Sequence, residues 1–483
     1  MNESGPVLSP PPVSDSAKAA THLLPWLVAV AFFMESLDTT ILNTAVPAIS
    51  AALGVTPLSM KAVLASYTLS LAVFIPISGW MADRFGTRRV FASAIGLFTL
   101  GSFLCGISGN IHLLVACRVL QGCGGAMMVP VGRLTLVRTF AKSDLLRTMS
   151  FVSIPALVAP MLGPIAGGLI VGYLHWRFIF FLNIPIGLVG LILVYLHLPD
   201  YREENTPPLD LVGLILFGSG IALLSYVLEI FGEHTLSSRE MSGLLLLSLA
   251  LLAGYGVHAR SLEFPLLQLR LFSIRTFRAS VSGSFFTRLG IGGVPFLLPL
   301  LYQVGLGFTP IQSGLLVMPQ ALAAMSMKAI MPRLLSRIGY RGVLVSNTII
   351  LGILLMVFAT IGLHTPVWAI VLQAFLYGAF TSLQYSSMNT LVYADITEKD
   401  TSSASSIAST MQQMSISFGV ATAGLATAFF VPSTHNDPAQ MIQGIHKALI
   451  ALGVLTIIST VVFRSLKTGD GDDVSQHKAI HAG

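Results

Sequence analysis

Apolar runs of about 20 residues, separated by short polar connections, recur along almost the whole chain. At 1.5 Å per residue such a run matches a ~30 Å hydrocarbon core, so each predicts a membrane-spanning helix. Outer-membrane barrels instead alternate apolar and polar residues in ten-residue segments, a pattern not found here. Fourteen helices are predicted. The first six lie near residues 23–47, 61–82, 90–108, 112–136, 147–172 and 177–198. A pair follows near 210–231 and 241–260, then six more near 277–304, 311–332, 342–363, 367–392, 404–431 and 444–464. An even number places both termini on one side.

Composition supports that reading and charge orients it. Of 483 residues, 54% are hydrophobic and 10% charged, whereas soluble domains carry about 25% charged residues. The net charge of +6 is no sign of nucleic acid, because about 20 of the 27 Lys and Arg fall in alternate connections. Arg84, Arg88 and Arg89 mark one, Arg133, Arg138, Lys142 and Arg147 another, and Arg333, Arg337 and Arg341 a third. This bias predicts cytoplasmic termini. Residues 1–22, rich in Pro and Ser, read as a disordered cytoplasmic tail. The following run is too long for a cleaved signal and should remain as the first span. Cys105, Cys117 and Cys123 lie within apolar runs without metal-ligand spacing, so packing is their expected role and no metal or cofactor is expected.

A repeat is visible. Gly79 to Val90 follows the second span and Pro332 to Val343 follows the tenth; without gaps, Arg84, Gly86, Arg88 and Val90 fall on Arg337, Gly339, Arg341 and Val343. The chain then reads as six plus two plus six: a bundle at 23–198, an inserted helix pair within 199–276, a second bundle at 277–465, and a cytoplasmic tail at 466–483. Such duplication is the signature of secondary transporters, with the substrate site between the halves.

Two carboxylates stand out. Glu35 and Asp38 sit about halfway along the first run, three residues apart and so on one helical face. A carboxylate at the bilayer centre costs roughly 3 kcal/mol on insertion scales and normally faces a protein or water-filled interior. Arg118 starts about 9 Å inside the fourth span, at a depth that can meet Asp38. The pair reads either as a proton or cation site or as a permanent structural salt bridge. Arg288, near the middle of the ninth span, should face a central cavity or a bound substrate, since no acid occurs at comparable depth in the second half. Lys328, near the inner end of the tenth span, fits either snorkelling or gating. Gln384, Asn389 and Gln413 are neutral candidates for the cavity lining.

Several motifs resemble the major facilitator superfamily, in particular its fourteen-span drug:proton antiporter branch of the EmrB/QacA type. Gly79-x-x-x-Asp83-Arg84-x-Gly86-x-Arg88-Arg89 looks like its cytoplasmic loop motif, and Arg118-x-x-Gln121-Gly122 like its buried-arginine motif. Pro160-x-x-Gly163-Pro164-x-x-Gly167-Gly168 resembles the antiporter motif, with Ala159 where many relatives carry glycine. Leu37-Asp38-x-Thr40-Ile41-x-Asn43 and Trp176-Arg177-x-Ile179-Phe180-x-x-Asn183 resemble signatures of the branch, and Gly122 to Arg133 is similar to its MdtD-type members. The resemblance implies an all-α polytopic transporter with two pseudo-symmetric halves. It also implies proton coupling at Asp38, tuned by Arg118, with Glu35 as a second acid. Gating would fall to Gly79, Asp83, Arg84, Gly86 and Arg88, with Gly163, Pro164, Gly167 and Gly168 as the helix contact on which the halves rock. The implied activity is export of amphipathic organic compounds against protons across the lipid bilayer of the bacterial inner membrane, with a monomer as one option for the working unit. The alternative is export of a specific endogenous metabolite or siderophore-like organic anion. No Gly-x-x-x-x-Gly-Lys-Ser/Thr loop is present for ATP hydrolysis, and no paired catalytic constellation points to an enzyme.

Overall fold

The computed structural model describes residues 15–140, 142–203, 206–230, 237–397, 400–430 and 438–471. Among these residues all extended regular structure is helical. The first bundle comprises α1 (Asp15–Leu53), α2 (Lys61–Phe85), α3 (Thr87–Ile107), α4 (Ile111–Thr139), α5 (Lys142–Tyr173), and the short α6 (Phe178–Phe181) leading into α7 (Asn183–His197). Next come the inserted pair, α8 (Leu211–Ile230) and α9 (Ser238–Arg260). The second bundle holds α10 (Arg275–Ile291), α11 (Val294–Leu300), α12 (Pro310–Phe358), α13 (Val367–Leu391), α14 (Thr401–Phe430) and α15 (Pro438–Phe463).

Twelve of the described helical segments are long and apolar enough to cross a membrane. One of them, α12, has 49 residues and contains Gly339 in a non-helical conformation, φ 74°, ψ 164°, so it is two helices joined at that glycine. The predicted spans 311–332 and 342–363 fall on its two parts. Helix α5 runs for 32 residues through Pro155, Pro160 and Pro164; its apolar stretch is Val158–Tyr173. The expected tail needs correction: α1 already begins at Asp15, inside the segment read as disordered. Residues 1–14 and 472–483 lie outside the described residues.

The repeat extends further than the loop motif. Gly54 and Gly307 both have positive φ (68° and 72°), as do Gly86 and Gly339 (96° and 74°), and both pairs are 253 residues apart. At the same separation, Thr56 and Thr309 each cap the helical turn that starts at a proline, Pro57 or Pro310, by accepting from the backbone three residues on. Glycine is required at the paired positions because an L side chain at positive φ costs about 1–2 kcal/mol. The two bundles therefore share a backbone plan.

Their packing is uneven from one face to the other. On the face away from the chain ends, a single apolar core joins Ile41, Val46, Met60 and Leu64 of the first bundle to Val294, Leu298, Leu316 and Val420 of the second. Towards the face carrying the chain ends, Val28, Phe91 and Val131 belong to one core and Leu335, Tyr340 and Phe463 to another, while a further core around the inserted pair packs Leu69 and Val73 of α2 against Phe277 and Phe418 of the second bundle. Direct ties between halves lie towards the joined face. Ser417 Oγ donates to the Ala65 carbonyl at 3.1 Å, and Gln303 Nε2 donates to the Thr44 carbonyl at 2.9 Å. Lipid gives helices little hydrophobic reason to associate, so small residues and hydrogen bonds carry such contacts. Helix α8 packs on both α2 and α14, so the inserted pair borders the seam.

Candidate functional site

Asp38 is 1% exposed, as is Arg118. Arg118 Nη1 donates to Asp38 Oδ2 at 2.5 Å and to Gln121 Oε1 at 2.7 Å. The other carboxylate oxygen, Oδ1, accepts from Gln121 Nε2 at 2.9 Å and from Asn183 Nδ2 at 3.0 Å. Ser102 Oγ receives both amides in turn, at 2.6 Å and 3.1 Å. The guanidinium lies over the Tyr67 ring, 4.2 Å from its centroid, which adds cation–π attraction in a desolvated setting. Five helices thus meet at one carboxylate: α1, α2, α3, α4 and α7.

Spacing explains the arrangement. Arg118 and Gln121 are three apart on α4, so both reach one face. Asn183 opens α7 and is itself 2% exposed. Gly101 of α3 lets the α4 backbone at Gln121 approach so closely that a Cβ would lie 2.7 Å from Gln121 Cα. Three donors on one carboxylate suit its ionised form, and Arg118 balances the charge. Yet Arg118 Nε and the Tyr67 hydroxyl have no hydrogen-bond partner among the described residues. The pair is therefore well made on the Asp38 side and incomplete on the other. Gln121 and Asn183 stood in quoted motifs but received no role from the sequence, and Ser102, a lone hydroxyl inside an apolar run, was not singled out.

The remaining acid is different. Glu35 lies one turn nearer the terminal face and is partly exposed. Its charged neighbours are Asp38 and Arg133, and no ion pair within 4 Å is found for it among the described residues.

The antiporter-like motif of α5 packs directly behind this site. A Cβ on Gly163 would collide with Thr40, and one on Gly167 with the Ile41 carbonyl and Thr44. Thr44 Oγ1 donates to the Pro164 carbonyl at 3.2 Å. On its other side the motif meets the second bundle: a Cβ on Gly168 would lie 2.6 Å from the Pro310 carbonyl oxygen, and Gly314 abuts the Pro164 carbonyl. One short stretch therefore touches both the Asp38 helix and the opposite half.

The loop motif forms a clasp within the first bundle. Asp83 accepts from Arg138 at 2.9 Å, and Arg138 also pairs with Glu203 at 2.9 Å. Gly86, at positive φ, leaves the space filled by the Asp200 carboxylate, which accepts from the Arg88 backbone N–H at 3.1 Å. Arg88 Nε donates to the Leu198 carbonyl. Asp83 thus meets an arginine at the C-terminal end of α4. Gly79 and Arg84 are exposed and stand outside the clasp.

The proposed lining residues scatter. Gln384 is fully buried and occupied, accepting from Asn347 Nδ2 at 2.7 Å and donating to Thr348 Oγ1 at 2.8 Å; it ties α13 to α12. Asn389 is exposed near the end of α13, and Gln413 is partly exposed on α14. Arg288 is 1% exposed. Its guanidinium sits 3.7 Å from the Tyr385 ring centroid, its Nε donates to Ser284 Oγ at 3.3 Å, and its Nη1 has no partner among the described residues. The last turn of α10 offers it some compensation, typically under 1 kcal/mol, against several for desolvating an ion. Lys328 is exposed.

Comparison with known proteins agrees with this architecture. A family model described as Major Facilitator Superfamily matches residues 28–420. The chain is 42% identical over 425 residues to "Putative multidrug resistance protein MdtD" of Serratia proteamaculans, covering 88% of each chain. It is 43% identical over 405 residues to the protein of the same name from Escherichia coli O7:K1, covering 84% of this chain and 86% of that one. Among solved structures, a POT family transporter in complex with 5-aminolevulinic acid superposes with a TM-score of 0.66 at 14% identity, covering 91% of this chain and 94% of that one. An inward-facing, unoccupied bacterial homologue of the human lysosomal transporter Spinster gives 0.65 at 13% identity, covering 93% and 98%. The all-helical two-bundle fold, the repeat and these matches together show that the chain is a membrane transporter, not an enzyme, and belongs to the major facilitator superfamily.

Proposed function

We propose that this protein exports amphipathic organic compounds in exchange for protons, with Asp38 as the proton carrier. The observation that carries this reading is the buried Asp38–Arg118 pair, held by Gln121 and Asn183 and backed by the α5 glycines that also touch the second half. Protonation of an Asp38 oxygen removes the charge that Arg118 balances. It frees the guanidinium and alters a contact lying against the α1–α5 seam. Loss of the proton restores the pair. An element with two arrangements, biased by a proton on one side and substrate on the other, is the physical requirement for coupling. The names of the MdtD relatives support drug-like substrates.

The conformation described is closed on the face away from the chain ends and parted on the terminal face. With the termini and the arginine-rich connections in the cytoplasm, as the charge bias favours, it is the inward-open state in the cytoplasmic membrane. Dividing α12 at Gly339 and adding α5 to the twelve apolar segments supports a count of fourteen spans. That number fits the EmrB/QacA-type branch and the division into 23–198, 199–276 and 277–465, with a monomer as the working unit.

The reading is tested in proteoliposomes under an imposed pH gradient. Wild type should accumulate an amphipathic dye against its concentration gradient, and Asp38→Asn should lose that accumulation while still equilibrating dye downhill. Equal gradient-driven accumulation by Asp38→Asn would refute it.

A further inference from the structure

The two halves each bury one arginine against one tyrosine. In the first half Arg118 lies over Tyr67 and is answered by Asp38. In the second half Arg288 lies over Tyr385, closer still, and among the described residues its one hydrogen-bond partner is the hydroxyl of Ser284. No Asp or Glu occurs between residues 277 and 394 or between 401 and 436, and among the described residues the intervening acids are engaged elsewhere: Asp395 accepts from Thr276, twelve residues before Arg288 on α10, and Asp400 pairs with Arg270. Glu35, the spare acid of the first half, has Asp38 and Arg133 as its charged neighbours, whereas among the described residues Arg288 has Tyr385 beside it and no charged group. A buried guanidinium whose Nη1 has no partner among the described residues is an incomplete site, because a desolvated ion needs a counter-charge or further hydrogen bonds.

We propose that Arg288 receives the anionic group of the transported compound, a carboxylate, sulfonate or phosphate, and that the partly buried Tyr385 ring receives the apolar part beside it. The substrate is then an amphipathic organic anion. This inference rests on the export reading above, whose amphipathic compound it narrows by charge. Guanidinium favours such groups through paired N–H donors in a fixed fork. The flanking groups fit an amphipathic molecule: Phe285 packs edge-on to Phe418 at 6.0 Å between ring centroids, next to Met411 and Met414. The division of labour follows from sequence. The first half holds its own anion and exchanges a proton on it; the second half holds a cation and borrows its anion from the substrate.

The test is equilibrium binding of 1-naphthalenesulfonate and its uncharged sulfonamide to the purified full-length protein. Wild type should bind the sulfonate at least tenfold more tightly. Arg288→Gln should lose that preference by weakening the sulfonate tenfold or more while leaving the sulfonamide unchanged, and Arg288→Lys should keep part of it. A sulfonate bound by wild type no more tightly than the sulfonamide would overturn the proposal. So would a loss in Arg288→Gln that falls equally on both compounds. Failure here is separable from failure of antiport. A cationic dye accumulated through Asp38, with Arg288→Gln unaffected, sinks the anion site and leaves antiport standing. A sulfonate preference that depends on Arg288, with no proton movement, does the reverse.

Discussion

At the scale of residues, Asp38 and Arg118 form a unit whose members are costly apart. Removing either leaves a buried ion unpaired, a loss of about 3–5 kcal/mol. Thermal unfolding in detergent should therefore show Asp38→Asn and Arg118→Gln each strongly destabilised. The double variant should recover most of that loss, since two neutral groups can share the Gln121, Asn183 and Ser102 hydrogen bonds. Recovery of stability without recovery of transport would mark the pair as functional. Additive losses would show that the two do not act together. Asn183→Ala removes one donor to Asp38 and should cost about 1–3 kcal/mol by the same measurement. The two charged members were legible in the sequence because charge inside an apolar run is conspicuous. Their neutral partners were not, because which amide faces which carboxylate depends on how five helices pack.

At the scale of elements, glycines and caps set the joints. Gly86 should not tolerate alanine. Positive φ costs about 1–2 kcal/mol, and the new methyl would displace the Asp200 carboxylate from the Arg88 N–H. Gly86→Ala should release the segment after α7, visible as faster hydrogen exchange around Thr87 and Tyr201, which are paired through the Thr87 N–H and the Tyr201 carbonyl at 3.0 Å. Unchanged exchange there would contradict the clasp. Ahead of α8, Asp210 accepts from His258 at 2.8 Å and from the backbone N–H groups of Gly213 and Leu266 at 2.7 Å and 3.0 Å. Burial raises its carboxyl, but these hydrogen bonds outweigh burial and hold it below the ordinary value. A depressed value means that its contribution is complete above the ordinary carboxylate range, near 4, and is lost as pH falls below it. Asp210→Asn should loosen the start of α8 at pH 7 and flatten the acid side of its pH–stability curve. A curve identical to wild type would contradict this. The order of helices was readable from apolar run length, and the loop glycines from the repeat. The Asp200 carboxylate that fills the space at Gly86 was not, because it depends on where the segment after α7 returns.

At the scale of the whole molecule, joined cores on one face and parted cores on the other give a single prediction about motion. Cysteines at Ala65 and Ser417, whose backbone and side chain meet at 3.1 Å, should cross-link readily in the resting protein. The disulfide should then stop transport until a reductant is added. Transport by the cross-linked protein would show that the joined face need not open. The duplication foretold that two halves would share a site; which face they share at rest is a matter of packing that composition does not encode.

The most direct test of the central claim is proton release from the purified transporter on adding substrate, read with a pH indicator in weak buffer. Wild type and Glu35→Gln should release protons, and Asp38→Asn should release none at equal substrate occupancy. Equal release from Asp38→Asn, or release lost only in Glu35→Gln, would contradict it and move the proton to another group.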